Sequence, residues 1–239
     1  PDVLAPARSY ADVVKNRAEG KISALFTVED AVPLEGKIER VDEMYARGVR
    51  MAALLWNYEN SLGFPNSPDA REHAKPLKPF GREAVERMNE LGIIVDVSHL
   101  SEGGFWDVAD ISRKPFIASH SCARALCDHS RNLTDAQLRA VAEHGGIVGV
   151  NFNSGFLNGR EDYTPNADII RHMDYIRQKA GIESVALGSD FDGIDCALEL
   201  RDCAGLPSLA GAMESVFTDD EIELISSKNA LRVLRDTVG

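Results

Sequence analysis

The stretch IIVDVSHLS, residues 93–101, is a run of Ile and Val that stops at a histidine, His99. PFIASHS, residues 115–121, repeats the arrangement and stops at His120. Short, continuous apolar runs are typical of strands buried on both faces of a parallel sheet. The separation of the two histidines (120 − 99 = 21) suits one strand end, one helix and the next strand. The sequence therefore predicts two parallel strands that bring both imidazoles to one rim of a sheet.

Apolar runs alternate with helix-like segments along the rest of the chain. The pattern predicts strands at 22–29, 49–56, 93–99, 115–120, 147–152 and 184–191. It predicts helices at 34–48, 81–92, 103–112, 133–146, 167–181 and 218–236. Two of the helices begin with capping boxes, Thr134 with Gln137 and Thr218 with Glu221. The polar, Pro-rich stretch 57–79 is too long for a simple connection, which is typical of a functional or mobile loop.

Polar residues stand at the ends of most of the predicted strands. They are Glu29, Asn57 (which follows Trp56), His99, His120, Asn151, Asn153 and Asp190. A doubly wound sheet gathers its ligand at one switch point, whereas a (β/α)₈ barrel builds its active site from all its strand ends. No GxGxxG motif follows the first strand, so a dinucleotide site is unsupported. The distribution favours an α/β (β/α)₈ TIM barrel, of which six strands can be counted.

Composition excludes several classes of protein. The 38 acidic residues outnumber the 26 basic ones and give a net charge of −12, which argues against a nucleic-acid partner. No run of 18 apolar residues predicts a membrane span, and the first residues do not resemble a signal peptide. The four cysteines form no CxxC pair, and we interpret them as reduced thiols of a cytoplasmic protein. A disulfide between Cys196 and Cys203 is the alternative for an exported chain.

Glu29, His99 and His120 are the side-chain types that catalytic zinc sites use, with one position left for water. Bound zinc lowers the pKa of that water to about 7. Asp190, at another strand end, is placed to take or deliver a proton. A single histidine at a strand end is more often a hydrogen-bonded structural residue. Two histidines together with a glutamate and an aspartate, all at strand ends, make a purely structural role less favoured. We expect the ligand atoms of Glu29, His99 and His120 to converge on one zinc.

Four stretches together resemble the renal (membrane) dipeptidase family of zinc peptidases, which are amidohydrolase-type (β/α)₈ barrels. The stretches are 93–101, 115–135, 145–152 and 186–193. The likeness begins near Lys21, continues to the C-terminus and keeps order and spacing throughout. The block from His120 to Asp135 and the motif GSDFDG at 188–193 are its most specific parts.

The resemblance implies a binuclear zinc site at the barrel rim. Glu29 matches the glutamate that bridges the two metals, and His99 and His120 match the two histidines of the second metal. Arg131, eleven residues beyond His120, matches the arginine that holds the substrate carboxylate. Its planar fork pairs bidentately with a carboxylate. Asp190 matches the aspartate that handles the proton.

The chain departs from the family pattern in two places. No His-x-Asp at a strand end supplies the first zinc, so the six strands correspond to strands three to eight, with strands one and two apparently missing. Trp56 stands where the family has a histidine that contacts the scissile carbonyl. An indole donates a hydrogen bond but does not act as an acid or base. We place Trp56 and Asn57 with Arg131 among the substrate-binding residues.

We therefore interpret residues 1–239 as a single, N-terminally incomplete metallo-dipeptidase barrel domain that hydrolyses dipeptides with metal-activated water. The expected cofactor is zinc, binuclear in the family and with one or no ion in this chain. The expected partner is a small dipeptide, and the unpaired edges of an incomplete sheet predict association into a homo-oligomer. Two alternatives stay open: an amidohydrolase acting on another small amide or lactam, and an inactive, metal-poor remnant that binds a ligand or partner.

Overall fold

A computed structural model describes residues 3–160 and 162–239 of the chain, which divides into two compact units. The first unit comprises Pro1–Ile117 with Leu231–Gly239, and the second comprises Ala118–Ala230. In each unit parallel strands alternate with helices, as the apolar runs predict. The assignment of the whole chain to a single domain stays a prediction.

The first unit contains a parallel sheet of four strands in the order β1-β2-β3-β4. Its strands are β1 (Leu4–Ala7), β2 (Ile22–Val28), β3 (Val49–Ala53) and β4 (Ile94–Asp96). Its helices are α1 (Tyr10–Ala18), α2 (Glu39–Ala46), α3 (Ala70–His73), α4 (Pro79–Leu91) and α5 (Glu102–Ile111). Because all four strands are parallel, the residues that follow them meet at one rim of the sheet.

β1 is a strand that the sequence prediction missed. Its residues Leu4 to Ala7 pair in parallel with residues 22 to 25 of β2. The six predicted strands therefore omit β1, while the correspondence of the chain to barrel strands three to eight stays a prediction. The sequence signal is weak because β1 has four residues and contains Pro6, which lacks an N–H for a sheet ladder. β1 is an edge strand of the described sheet, the position where a strand tolerates proline.

The second unit contains a parallel sheet of three strands, β5-β6-β8, and a two-stranded ribbon, β7-β9. The strands are β5 (Ala118–Ser121), β6 (Val148–Val150), β7 (Tyr163–Thr164), β8 (Val185–Leu187) and β9 (Ala197–Leu198). The helices are α6 (Asp135–Glu143), α7 (Ser154–Leu157), α8 (Asn166–Ala180), α9 (Leu206–Met213), α10 (Asp219–Glu223) and α11 (Asn229–Val238). Residues 231–238 of α11 belong to the first unit.

Local sequence signals account for several helix boundaries. Thr134 Oγ1 accepts the N–H of Gln137, and Gln137 Oε1 accepts the N–H of Thr134, which confirms the capping box at the start of α6. The box of Thr218 and Glu221 starts α10 in the same way. The predicted helix 218–236 is continuous only through a π-helical turn, Leu224–Lys228, between α10 and α11.

The long polar stretch 57–79 is held against the segment that follows β4. The N–H of Asn66 donates to the carbonyl of His99, and the N–H of Ser101 donates to the carbonyl of Phe64. These backbone bonds fix the stretch beside His99, and the short helix α3 lies within it. No helix in the described part of the chain is both long and apolar enough to cross a lipid bilayer.

The second sheet is packed closely around Gly149 in β6. A Cβ atom at this position would lie 2.1 Å from the carbonyl oxygen of Ser119 in β5. Only glycine therefore allows β5 to approach β6 this closely. Because Ser119 directly precedes His120, the same close approach sets the position from which His120 leaves the sheet.

Candidate active site

In the first unit, Glu29 and His99 come together from two different strands. Glu29 directly follows β2, and His99 lies three residues beyond β4 with a positive φ of 68°. Nε2 of His99 lies 3.1 Å from Oε1 of Glu29. The imidazole is buried, while half of the carboxylate side chain is exposed. A carboxylate and an imidazole thus face the same point at the rim of the sheet, with one side open to solvent.

Asn57 determines which nitrogen of His99 faces Glu29. Its amide oxygen Oδ1 lies 3.1 Å from Nδ1 of His99. An amide oxygen only accepts hydrogen bonds, so Nδ1 is the donor in this contact and Nε2 is the nitrogen that faces Glu29. The side chain that the sequence assigned to substrate binding therefore contacts a predicted metal ligand.

The Glu29–His99 geometry is compatible with a shared divalent metal. Two ligand atoms at about 2.0–2.2 Å from one tetrahedral zinc lie about 3.4 Å apart. The observed separation of 3.1 Å between carboxylate oxygen and imidazole nitrogen is close to that value. The hydrogen bond from Nδ1 to Asn57 is also the support that metal-binding histidines normally receive. These residues fit the metal that the sequence predicts.

In the second unit, His120 lies within β5 near its carboxyl end. Nδ1 of its buried ring is 2.7 Å from Oγ of Ser119. With Nδ1 engaged in this way, Nε2 is the nitrogen through which the ring would bind a metal. The sequence offered no signal for this role of Ser119 beyond its position next to the histidine.

Arg131 is a buried guanidinium next to His120. Its Nη2 donates to the backbone carbonyl of His120 at 3.2 Å, and only 7% of the residue is exposed. The guanidinium also lies over the ring of Phe156, with 5.5 Å between its carbon and the ring centroid. A guanidinium shielded from water pairs more strongly with a carboxylate than an exposed one does. Burial and the positive charge of Arg131 lower the pKa of the neighbouring His129.

Asp190 follows β8 and is held by two neighbours. Nδ2 of Asn151, a fully buried residue that follows β6, donates to its Oδ2 at 3.0 Å. A Cβ atom at Gly193 would lie 2.2 Å from Oδ1 of Asp190, so the carboxylate occupies space that only glycine leaves open. Its positive φ of 58° turns Asp190 out of the strand direction. Asn151 is a partner that sequence reasoning placed at a strand end without giving it a role.

Trp56 and Tyr58 form an exposed aromatic pair beside His99. Their ring centroids are 5.8 Å apart in an edge-to-face arrangement, and the Trp56 ring is 6.5 Å from the His99 ring. Both side chains are exposed although they are large and apolar. Solvent-exposed aromatic rings next to a candidate metal ligand provide a surface on which an apolar group can pack.

Parallel strands that alternate with helices, with carboxylate and imidazole side chains at or just beyond strand ends, define an α/β protein with a candidate metal site. Comparison with known proteins assigns the chain to a family. The chain matches the family description "Membrane dipeptidase (Peptidase family M19)" over residues 1–238. It is 40% identical over 238 residues to an uncharacterized protein of Klebsiella pneumoniae, covering 95% of this chain and 87% of the relative. It is 35% identical to the dipeptidase AclJ of Aspergillus oryzae, covering 99% of this chain and 57% of that one.

Among solved structures, the chain is similar to a metallopeptidase from Rhodobacter sphaeroides bound to a phosphinate mimic of the dipeptide L-Ala-D-Ala. The sequence identity is 32%, the TM-score is 0.92, and the match covers 99% of this chain and 69% of that chain. The chain thus spans little more than half of the Aspergillus dipeptidase and about two thirds of the Rhodobacter enzyme.

The chain belongs to the membrane dipeptidase family, peptidase family M19. Membership confirms the predicted resemblance and the amidohydrolase-type barrel class, and it makes the chain a peptidase hydrolase of a metal-dependent dipeptidase family. The roles of the individual site residues stay predictions.

Proposed function

We propose that this protein hydrolyses small dipeptides and that Glu29, His99 and His120 hold the zinc ion on which the reaction depends. The observation that carries the proposal is the Glu29–His99 pair, in which Asn57 leaves Nε2 of His99 beside a carboxylate oxygen. His120, in the second unit, supplies the second imidazole of the proposed ligand set, and its Nδ1 contact with Ser119 leaves Nε2 available. Two imidazoles and a carboxylate are a common protein ligand set of catalytic zinc.

We assign proton transfer to Asp190. When bound, the metal supplies a water-derived nucleophile at neutral pH and polarises the peptide carbonyl. The Asn151 amide holds Oδ2 of Asp190, so Oδ1 is the oxygen proposed to take a proton from the attacking water. The same carboxyl group then delivers that proton to the leaving amine as the C–N bond breaks.

We assign recognition of the substrate's C-terminal carboxylate to Arg131. The support is its burial and its bond to the His120 carbonyl, which place a fixed positive charge next to a proposed metal ligand. The Rhodobacter relative binds a mimic of a two-residue peptide. A carboxylate anchor close to the reacting carbonyl selects the last peptide bond of a substrate, which in a dipeptide is its one peptide bond.

We propose that Trp56 packs against the substrate and that Asn57 acts through His99 rather than on the substrate. The exposed Trp56–Tyr58 pair favours dipeptides with an apolar side chain, because such a side chain gains contact with both rings. Asn57 is a positioning residue, since its side-chain oxygen contacts the His99 ring.

Metal removal tests the proposed function. Treatment with a chelator should abolish dipeptide hydrolysis, and added zinc should restore it in proportion to the zinc that the protein binds. A panel of dipeptides and N-acyl amino acids measures the substrate class. Activity that survives metal removal would contradict the proposed reaction, and a preference for N-acyl amino acids would favour the alternative amidohydrolase.

Two substitutions separate the proposed roles. Arg131→Ala should raise KM about tenfold to a hundredfold, since a hydrogen bond to a charged group contributes about 1.5–3 kcal/mol. Asp190→Asn should instead lower kcat, because it removes the proton carrier without removing the bond partner of Asn151. Arg139→Ala, an exposed arginine on α6, is the matched control and should change neither constant. Equal, small effects of the first two substitutions would argue against both roles.

We also propose a cytoplasmic location and self-association. All four cysteines are free thiols, as expected for a reducing compartment. Self-association is supported by Leu4 of β1 and Ile22 of β2, which are register partners. Their apolar side chains are both more than half exposed. Cell fractionation tests the location, and finding the protein in an oxidising compartment with a Cys196–Cys203 disulfide would contradict it.

A further inference from the structure

His172 is a fully buried imidazole of α8 whose two ring nitrogens both meet the backbone. Nδ1 lies 3.1 Å from the N–H nitrogen of Ala123, and Nε2 lies 2.9 Å from the carbonyl oxygen of Leu157. A backbone N–H only donates and a carbonyl only accepts. The ring is therefore the neutral tautomer with its hydrogen on Nε2, and burial, which lowers its pKa to about 4, keeps it neutral at physiological pH.

The segment that His172 holds at Ala123 is the arginine loop, defined as residues 122–133. The base of this loop is closed by backbone bonds: Leu133 N–H donates to the Cys122 carbonyl, and Arg124 N–H donates to the Leu133 carbonyl, each at 2.8 Å. Ala123 and Leu133 also form an isolated parallel bridge. The bond from Ala123 to His172 therefore fixes the closed base of the loop against α8.

A second buried side chain, Asn132, ties the arginine loop to the same support. Its Nδ2 donates to the carbonyls of Cys127 and Phe156 at 2.8 Å each, and its Oδ1 accepts the N–H of Cys122. Phe156 and Leu157 are consecutive residues of α7. Asn132 bonds the carbonyl of Phe156, and His172 bonds the carbonyl of Leu157. The loop is therefore connected to two consecutive carbonyls of the short helix α7.

We infer that His172 is a positioning residue for Arg131: by clamping the arginine loop between α8 and α7, it sets where the guanidinium meets the substrate carboxylate. The inference rests on the carboxylate-binding role proposed for Arg131. Arg131 lies next to Asn132, and its guanidinium is held against the His120 carbonyl, so movement of the loop base displaces the charge directly. A purely structural histidine would support the fold without influencing how the enzyme distinguishes a carboxylate from a neutral group.

Two substitutions of His172 separate its two bonds. In asparagine, Oδ1 occupies the place of Nδ1, so His172→Asn keeps an acceptor for Ala123. In glutamine, Nε2 occupies the place of the histidine Nε2, so His172→Gln keeps the donor to Leu157 and loses the loop contact. Ile176→Val, a buried apolar change one turn further along α8, is the control for lost packing.

Kinetics with a dipeptide and with the amide of the same dipeptide give the decisive measurement. His172→Gln should raise KM for the dipeptide about tenfold and leave the amide nearly unchanged. His172→Asn and Ile176→Val should have much smaller effects on both substrates. In the Arg131→Ala background, His172→Gln should add no further loss. Equal losses on both substrates, or a further loss in that background, would overturn the inference.

Hydrogen exchange gives a readout that does not depend on activity. Amides of residues 122–133 should exchange faster in His172→Gln than in the wild type, while Ile176→Val leaves them unchanged. Unchanged exchange in His172→Gln would overturn the clamp. Failure of the underlying proposal is distinguishable, because Arg131→Ala would then affect the dipeptide and its amide equally.

Discussion

Lowering the pH from about 7.5 to about 5 should remove about 2 kcal/mol of folding free energy through His172 alone. The pKa of this imidazole falls from 6.5 to about 4, chiefly because the ring is buried. The hydrogen bond to the Leu157 carbonyl opposes the shift, and the charges of Arg171 and Asp168 act in opposite directions. The unfolded chain therefore binds a proton at higher pH than the folded protein does.

The sign of the effect follows from proton linkage. The stability that His172 contributes is present above pH 6.5 and is lost as the pH falls from 6.5 towards 4. Each pH unit in this window costs about 1.4 kcal/mol, so about 1.5 units, down to pH 5, cost about 2 kcal/mol. The full window costs about 3 kcal/mol, which is a large part of the stability of an ordinary domain.

Chemical denaturation of the wild type and of His172→Gln at both pH values measures this contribution. Glutamine does not titrate, so the difference between the two proteins removes the contributions of all other groups. The stability advantage of the wild type should be about 2 kcal/mol smaller at pH 5 than at pH 7.5. An advantage that is the same at both pH values, or an NMR titration of this ring near pH 6.5 in the folded protein, would refute the reasoning.

Three further predictions concern stability and association. Thr134→Ala should lower stability by about 1 kcal/mol in thermal denaturation, because it removes the cap of α6, and an unchanged Tm would contradict this. Gly149→Ala should lower the free energy of unfolding by about 3 kcal/mol or more and impair activity, because the added Cβ would meet the Ser119 carbonyl. A variant as stable as the wild type in chemical denaturation would show that β5 can move away. Ile22→Lys should reduce self-association in sedimentation experiments without lowering Tm, because Ile22 is 60% exposed on the first sheet. A wild type that stays monomeric at high concentration would exclude this association.

The alternating apolar runs of the sequence were sufficient to predict the parallel α/β architecture, although four of the six predicted strands end two to four residues earlier than expected. Glu29 directly follows β2 and His120 lies near the end of β5, within one residue of the predicted strand ends, whereas Asp190 lies three residues beyond β8. The capping boxes were readable because a cap involves residues only three positions apart. β1 was not readable, because a four-residue strand containing Pro6 acquires its identity from pairing with β2.

The partners of the site residues depend on tertiary structure. Asn57 and His99 are 42 residues apart, and Ala123 and His172 are 49 residues apart. Nothing in the local pattern around Asn57 indicates a bond to an imidazole rather than to substrate, and His172 looks in sequence like an ordinary helix residue. Hydrophobic period and capping are local properties, so the sequence itself determined the elements and which side chains stand at their ends. Which of those side chains meet, and which ring nitrogen each histidine presents, is decided by packing between distant segments.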